Sequence, residues 1–121
     1  MKHFRSAFEF NFATFLDREH IPYEYELVKF KYKPKKRTYT PDFYLPDYKM
    51  YIETKGLFVT EDRAKHLLMQ EQYPDLDIRF VFQNAKNKLY KGSKTSYGEW
   101  CDKHGFKYAE EELPLSWRKN G

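Results

Sequence analysis

Thr40-Pro41-Asp42 and Glu53-Thr54-Lys55-Gly56 constrain this chain more than any other pair of segments, because the stretch between them has the chemistry of a tight turn. In Leu45-Pro46-Asp47-Tyr48-Lys49, Pro sets φ and Asp can bond nearby backbone amides. The chain is therefore expected to return on itself as a hairpin. If Ile52 to Lys55 is a strand, its side chains alternate with period two, so Glu53 and Lys55 share one face and Asp42 meets them across the turn. Thr54 then points its side chain to the opposite face, while its backbone carbonyl stays available as a ligand.

Two carboxylates and an amine at one strand end suit phosphodiester hydrolysis. That reaction needs hard oxygen ligands for Mg²⁺ or Mn²⁺, which activates water and neutralises charge growing on the phosphate. Asp42 and Glu53 fit as metal ligands, and Lys55 as the group that orients the attacking water or stabilises the transition state. The plainer alternative has Asp42 starting a turn and Glu53 pairing with Lys55 on an exposed strand. Tyr51-Ile52 before the acid and Gly56 after the lysine favour a strand ending at a site edge, where Gly permits close backbone approach.

Upstream, Ser6-Ala7-Phe8-Glu9 has the form of a capping box, and Phe8, Phe12, Phe15 and Leu16 form one stripe, predicting a helix from about Ala7 to Arg18. Glu9 has two readings: a cap reaching back to the Ser6 amide, or a site acid helping to hold a second metal. From Tyr23 to Tyr32 the chain reads as extended, but its alternation changes phase at Leu27-Val28, which calls for a bulge or for a strand serving two cores. Thr60-Glu61-Asp62 offers the N-cap of a second helix ending near Gln72, and Ile78 to Phe82 reads as a buried strand. Thr95 or Ser96 can cap a third helix closed by Gly105. Strands alternating with helices favour an α/β domain with a central sheet.

A fifth of the residues are aromatic, a third are charged, and Lys and Arg exceed Asp and Glu by 22 to 18. This excludes a disordered chain and leans mildly toward polyanionic partners. The basic segment Lys29, Lys31, Lys33, Lys35, Lys36 and Arg37 and the loop carrying Lys86, Lys88, Lys91 and Lys94 either contact phosphates or form solvated edges. The lone Cys101 can form no intrachain disulfide and reads as a core thiol. His3, His20, His66 and His104 lack zinc spacing. No apolar run approaches the roughly 20 residues of a membrane span, so no membrane partner and an intracellular, soluble protein are expected.

Taken together, Phe4-Arg5-Ser6 with Glu9, Thr38 to Phe43, Glu53 to Leu57, Asp62-Arg63 with Lys65 to Leu68, Lys88 to Ser93, Thr95 to Glu99 and Lys103-His104-Gly105 resemble the bacteriophage endonuclease I family. These are podophage-type Holliday-junction resolvases. The resemblance implies a restriction-endonuclease-like PD-(D/E)xK core, a central mixed β-sheet flanked by helices, and a segment-exchanged homodimer. Residues 1–121 would form a single nuclease domain, with residues 23–40 as the inter-subunit β-bridge region. Asp42, Glu53 and Lys55 match the family's catalytic residues, and Glu9 matches its remaining acid, supplied by the other subunit. Asp42, Glu53, the Thr54 carbonyl and Glu9 would hold Mg²⁺, with Mn²⁺ as a substitute and two ions per site, and no small-molecule cofactor. Arg5 joins the basic residues above as an expected DNA contact.

The activity so implied is paired nicking of four-way and other branched DNA, leaving 5′-phosphate ends, in the host cytoplasm if the chain is phage-encoded. A general duplex or mismatch nickase and a non-cutting branch-binding protein are the alternatives. The chain begins almost at the first helix and stops soon after Trp117, shorter at both ends than family members can be, so weaker junction affinity is expected.

Overall fold

The structure is a computed structural model that describes residues 3–32 and 37–118. The basic residues Lys33, Lys35 and Lys36 lie outside them. Helix α1 spans Ala7–Arg18. Strands β1 (Glu24–Tyr25), β2 (Phe30–Tyr32), β3 (Arg37–Tyr39), β4 (Phe43–Leu45) and β5 (Met50–Lys55) follow, then helix α2 (Thr60–Gln72) and strand β6 (Ile78–Phe82). Helix α3 (Tyr97–His104), strand β7 (Tyr108–Glu110) and a short 3₁₀ turn, Leu115–Arg118, complete the described chain.

Five strands form a mixed sheet in the order β1-β4-β5-β6-β7. The β1-β4 and β4-β5 pairs are antiparallel, whereas β5-β6 and β6-β7 are parallel. The parallel pairs follow from the helical crossovers α2 and α3, which carry the chain back over the sheet. β2 and β3 form a separate antiparallel pair.

Both faces of the sheet are covered. Phe12, Phe15 and Leu16 of α1 pack on Phe43, Leu45, Met50, Ile52 and Val81. On the other face Phe80 and Phe82 meet Phe58, Trp100, Cys101 and Phe106. Beside them, Tyr32 and Tyr39 of the two-stranded pair pack with Met69 of α2 and Ile78. β5 alternates as a strand between two layers must: Met50 and Ile52 face α1, while Tyr51 packs in the Tyr39 cluster opposite.

The phase change near Leu27 is resolved by a change of sheet. Tyr23 and Tyr25 pack against the α1 core, while Phe30 and Tyr32 belong to the cluster with Tyr39. Between them Glu26 takes a left-handed backbone, φ 52°, and its amide donates to the Asp42 carbonyl at 3.1 Å. The stretch read as one strand is two, β1 and β2, each with its own core.

Two cap assignments differ from expectation. Thr60 is not the N-cap of α2; Val59 is, and it has no side-chain cap bond. The Thr60 hydroxyl instead accepts from the Arg63 guanidinium at 3.0 Å. At α1 only half of the capping box forms: Ser6 accepts from the Glu9 amide, but the Glu9 carboxylate goes elsewhere. At α3 the box is complete, Ser96 with Glu99, and Gly105 closes the helix at φ 77°.

Candidate active site

The β4-β5 register pairs Phe43 with Ile52, so the next step along the ladder sets Asp42 beside Glu53. The turn between them is held by Tyr48 and Lys49 amides donating to the Leu45 and Pro46 carbonyls, with Lys49 at φ 52°. Asp42 and Glu53 are almost fully buried, at 2% and 3% exposure, which makes them unlike surface carboxylates.

Each oxygen of Asp42 has its own partners. Oδ2 accepts from the Thr54 amide at 2.9 Å and the Thr54 hydroxyl at 3.0 Å. The Thr54 side chain therefore serves the site rather than standing apart from it, as strict alternation suggested. Oδ1 accepts from Arg5 Nη2 at 2.9 Å.

Glu9 is brought in by the first turn of α1. Its Oε1 accepts from the Tyr25 hydroxyl at 2.6 Å and the Arg5 amide at 2.9 Å. Its carboxylate accepts from the Arg5 amide rather than reaching back to Ser6, and it faces Asp42, so the local cap reading does not hold and Glu9 lies where a site acid would. Glu26 completes the group: one oxygen each from Glu9, Glu26 and Asp42 lie within 4.8 Å of one another. Glu53 stands outside that circle.

Glu53 belongs to a charged row on the other side. Lys55 Nζ lies 3.7 Å from Glu53 and 3.4 Å from Asp62, and Lys65 is 3.9 Å from Asp62. Asp62 and Lys65 come from the first turns of α2, which packs over this end of β5. The fully buried Tyr39 hydroxyl faces the Glu53 carboxylate. Burial first, then the charge of Glu53, push its phenol well up.

The electrostatics calls for a cation. Burial, followed by the charges of Glu53 and Glu9, pushes Asp42 up to about 8. The Arg5 guanidinium beside it is about two-thirds exposed and does not offset this. Burial likewise raises Glu53, partly countered by Lys55. For Lys55, burial pulls the amine down, but Glu53, Asp62 and Asp42 outweigh it and raise it. Lys55 is thus a fixed cation at neutral pH, not a proton acceptor. Hard carboxylate oxygens gathered within 4.8 Å of one another, with Asp42 and Glu53 buried beside them, fit a divalent cation.

Sequence reasoning placed Glu9, Asp42, Glu53, Thr54 and Lys55, and the fold gathers them at one end of β4 and β5. Glu26, Tyr25, Tyr39 and Asp62 were missed. Only the phase change beside Glu26 signalled that the backbone there does something unusual. Lys29, Lys31, Arg37, Lys86, Lys88, Lys91 and Lys94 are all exposed. The loop bearing the last four leaves directly from the site: the Gln83 amide donates to the Lys55 carbonyl at 3.0 Å. Among the described residues no helix is long and apolar enough to cross a membrane.

A family model described as phage endonuclease I matches residues 1–121. Endonuclease I of Escherichia phage T7 is 50% identical over 118 residues, covering 96% of this chain and 78% of that protein. Endodeoxyribonuclease 1 of Enterobacteria phage T3 is 49% identical over 115 residues, covering 93% and 75%.

Proposed function

Because the chain belongs to the phage endonuclease I family, we propose that it is a structure-selective DNA endonuclease that resolves four-way and other branched junctions. It acts as a homodimer with a PD-(D/E)xK core and leaves 5′-phosphate ends by paired, Mg²⁺-dependent nicks. The observation that carries this reading is the convergence of buried Asp42 and Glu53 with cationic Lys55 and with Glu9 at one end of the sheet.

Asp42, Glu53, Glu9 and the Thr54 carbonyl are the residues that would hold Mg²⁺, or Mn²⁺ in its place. When bound, such ions supply an activated water and neutralise charge on the scissile phosphate. Thr54 fixes the carboxylate plane of Asp42 through two hydrogen bonds to Oδ2, leaving Oδ1 on the side of Arg5. Tyr25 fixes Glu9 in the same manner. Lys55, held by Glu53 and Asp62, presents a permanent positive charge beside the acids, where it stabilises negative charge developing on the pentacovalent phosphate. Exposed Lys29 just before β2, Lys31 within it and the lysines of the loop after Gln83 meet neighbouring phosphates, a contribution indifferent to sequence and weakened by salt. Recognition then rests on the shape of the branch.

In one chain the residue 3–32 segment delivers Glu9 to Asp42. The same contacts form between two copies if residues 3–32 of each pack on residues 37–118 of the other, which is how the dimer would exchange segments.

The test is cleavage of an immobile four-way junction against a matched linear duplex, with Mg²⁺ or EDTA. Paired Mg²⁺-dependent cuts in opposed strands of the junction, with the duplex spared, are expected. Equal cutting of both DNAs would reduce the reading to a general nickase, and binding without cutting would remove the enzymatic assignment.

A further inference from the structure

Arg5 occupies the oxygens that a cation in this site needs. Asp42 Oδ2 is already held by Thr54, and Glu9 Oε1 by Tyr25 and the Arg5 amide. The remaining oxygens, Asp42 Oδ1 and Glu9 Oε2, both face Arg5 Nη2, at 2.9 and 3.5 Å. Arg5 Nε sits 2.7 Å from Glu26. One guanidinium thus contacts all three acids of the cluster.

This side chain is 67% exposed although its partners Glu9 and Asp42 are buried. It lies across the mouth of the cluster, not beneath it. Its exposure gives it a route to solvent, and its charge is returned there when it leaves. Arginine also matches phosphate as well as carboxylate geometry, through the same planar fork of donors.

We propose that Arg5 is the resident counter-cation of the metal-free site: it exchanges with the divalent ion on Asp42 Oδ1 and Glu9 Oε2, and the released guanidinium is then free to take a DNA phosphate at the mouth. This rests on the nuclease reading above and adds a step to it. Metal loading and DNA engagement become coupled through one side chain, because the same charge cannot hold the acids and the phosphate together.

The exchange is tested without cleavage. Mn²⁺ is titrated by electron paramagnetic resonance into DNA-free wild-type protein and into Arg5→Gln, Arg5→Lys and Asp42→Asn. Removing the competitor makes Mn²⁺ bind about threefold tighter or more in Arg5→Gln, a modest effect because an exposed guanidinium is screened; Arg5→Lys falls between it and wild type. Circular dichroism establishes that the variants are folded. Guanidinium rotation, followed by NMR on arginine-labelled wild type, is hindered without metal and becomes fast at saturating Mg²⁺. Unchanged or weaker Mn²⁺ binding in Arg5→Gln, or rotation still hindered with Mg²⁺, overturns the exchange while leaving the nuclease reading intact. Wild type that binds Mn²⁺ no better than Asp42→Asn overturns both.

Discussion

The two oxygens of Asp42 do different work, and substitutions separate them. Asp42→Asn keeps an acceptor for Thr54 but withdraws the charge, and Glu53→Gln does the same at the neighbouring position. Each is expected to lower junction cleavage by about a thousandfold or more, with junction binding in Ca²⁺ nearly unchanged; retained cleavage by either would sink the assigned chemistry. A second expectation concerns pH. With Asp42 pushed up to about 8 by burial and its neighbours, the metal-free folded protein keeps a proton that the unfolded chain releases near 4. Stability is therefore fullest below about 4 and declines as pH rises toward 8, by on the order of a few kcal/mol at most. In EDTA the melting temperature should fall across that window, and Asp42→Asn should flatten the slope, Glu53 supplying what remains. Asp42, Glu53 and Lys55 were legible in the sequence because a hairpin gathers them locally. Glu26 and Tyr25 were not, since only the meeting of β1 with β4, set by tertiary packing, brings them to Glu9 and Asp42.

Among the elements, α1 and β6 follow their sequence signals because aromatic periodicity and an apolar run each decide one burial pattern. The N-terminus of α2 did not: Thr60 has the right chemistry for a cap, but Arg63 claims its hydroxyl and Val59 takes the cap position. β7 gave little warning, as its three residues are only partly buried or exposed. Its packing against α3 is nonetheless tight. A Cβ on Gly98 would lie 2.7 Å from the Tyr108 ring, so Gly98→Ala is expected to cost about 1–3 kcal/mol, read from the urea midpoint. Ser96→Ala, which removes the hydroxyl that accepts from the Glu99 amide at the start of the same helix, should cost about 1 kcal/mol. A stability equal to wild type in Gly98→Ala would mean that α3 and β7 sit further apart than described.

For the molecule as a whole, the question that separates one chain from an exchanged pair is which copy gives Glu9 to which Asp42. Glu9→Gln and Asp42→Asn proteins, each expected to be inactive alone, are mixed by co-expression. In an exchanged dimer one site unites an intact Glu9 with an intact Asp42, so nicking of a single strand returns; in a dimer that keeps its segments at home both sites stay dead. Sedimentation at working concentration reports whether a dimer exists at all. The residue patterns carried the mixed sheet between helices, whereas the exchange was implied by the family resemblance alone, because the same contacts satisfy either connection. The chain's one cysteine offers a further handle on the whole fold. Cys101 is sealed among Trp100, Phe106 and Phe82, and burial pushes its thiol up to about 12, so a thiol reagent finds nothing to attack until α3 lifts from the sheet. The labelling rate is then a stopwatch for that opening, and a cysteine introduced at exposed Lys91 would accept a dye or crosslinker on an otherwise silent background.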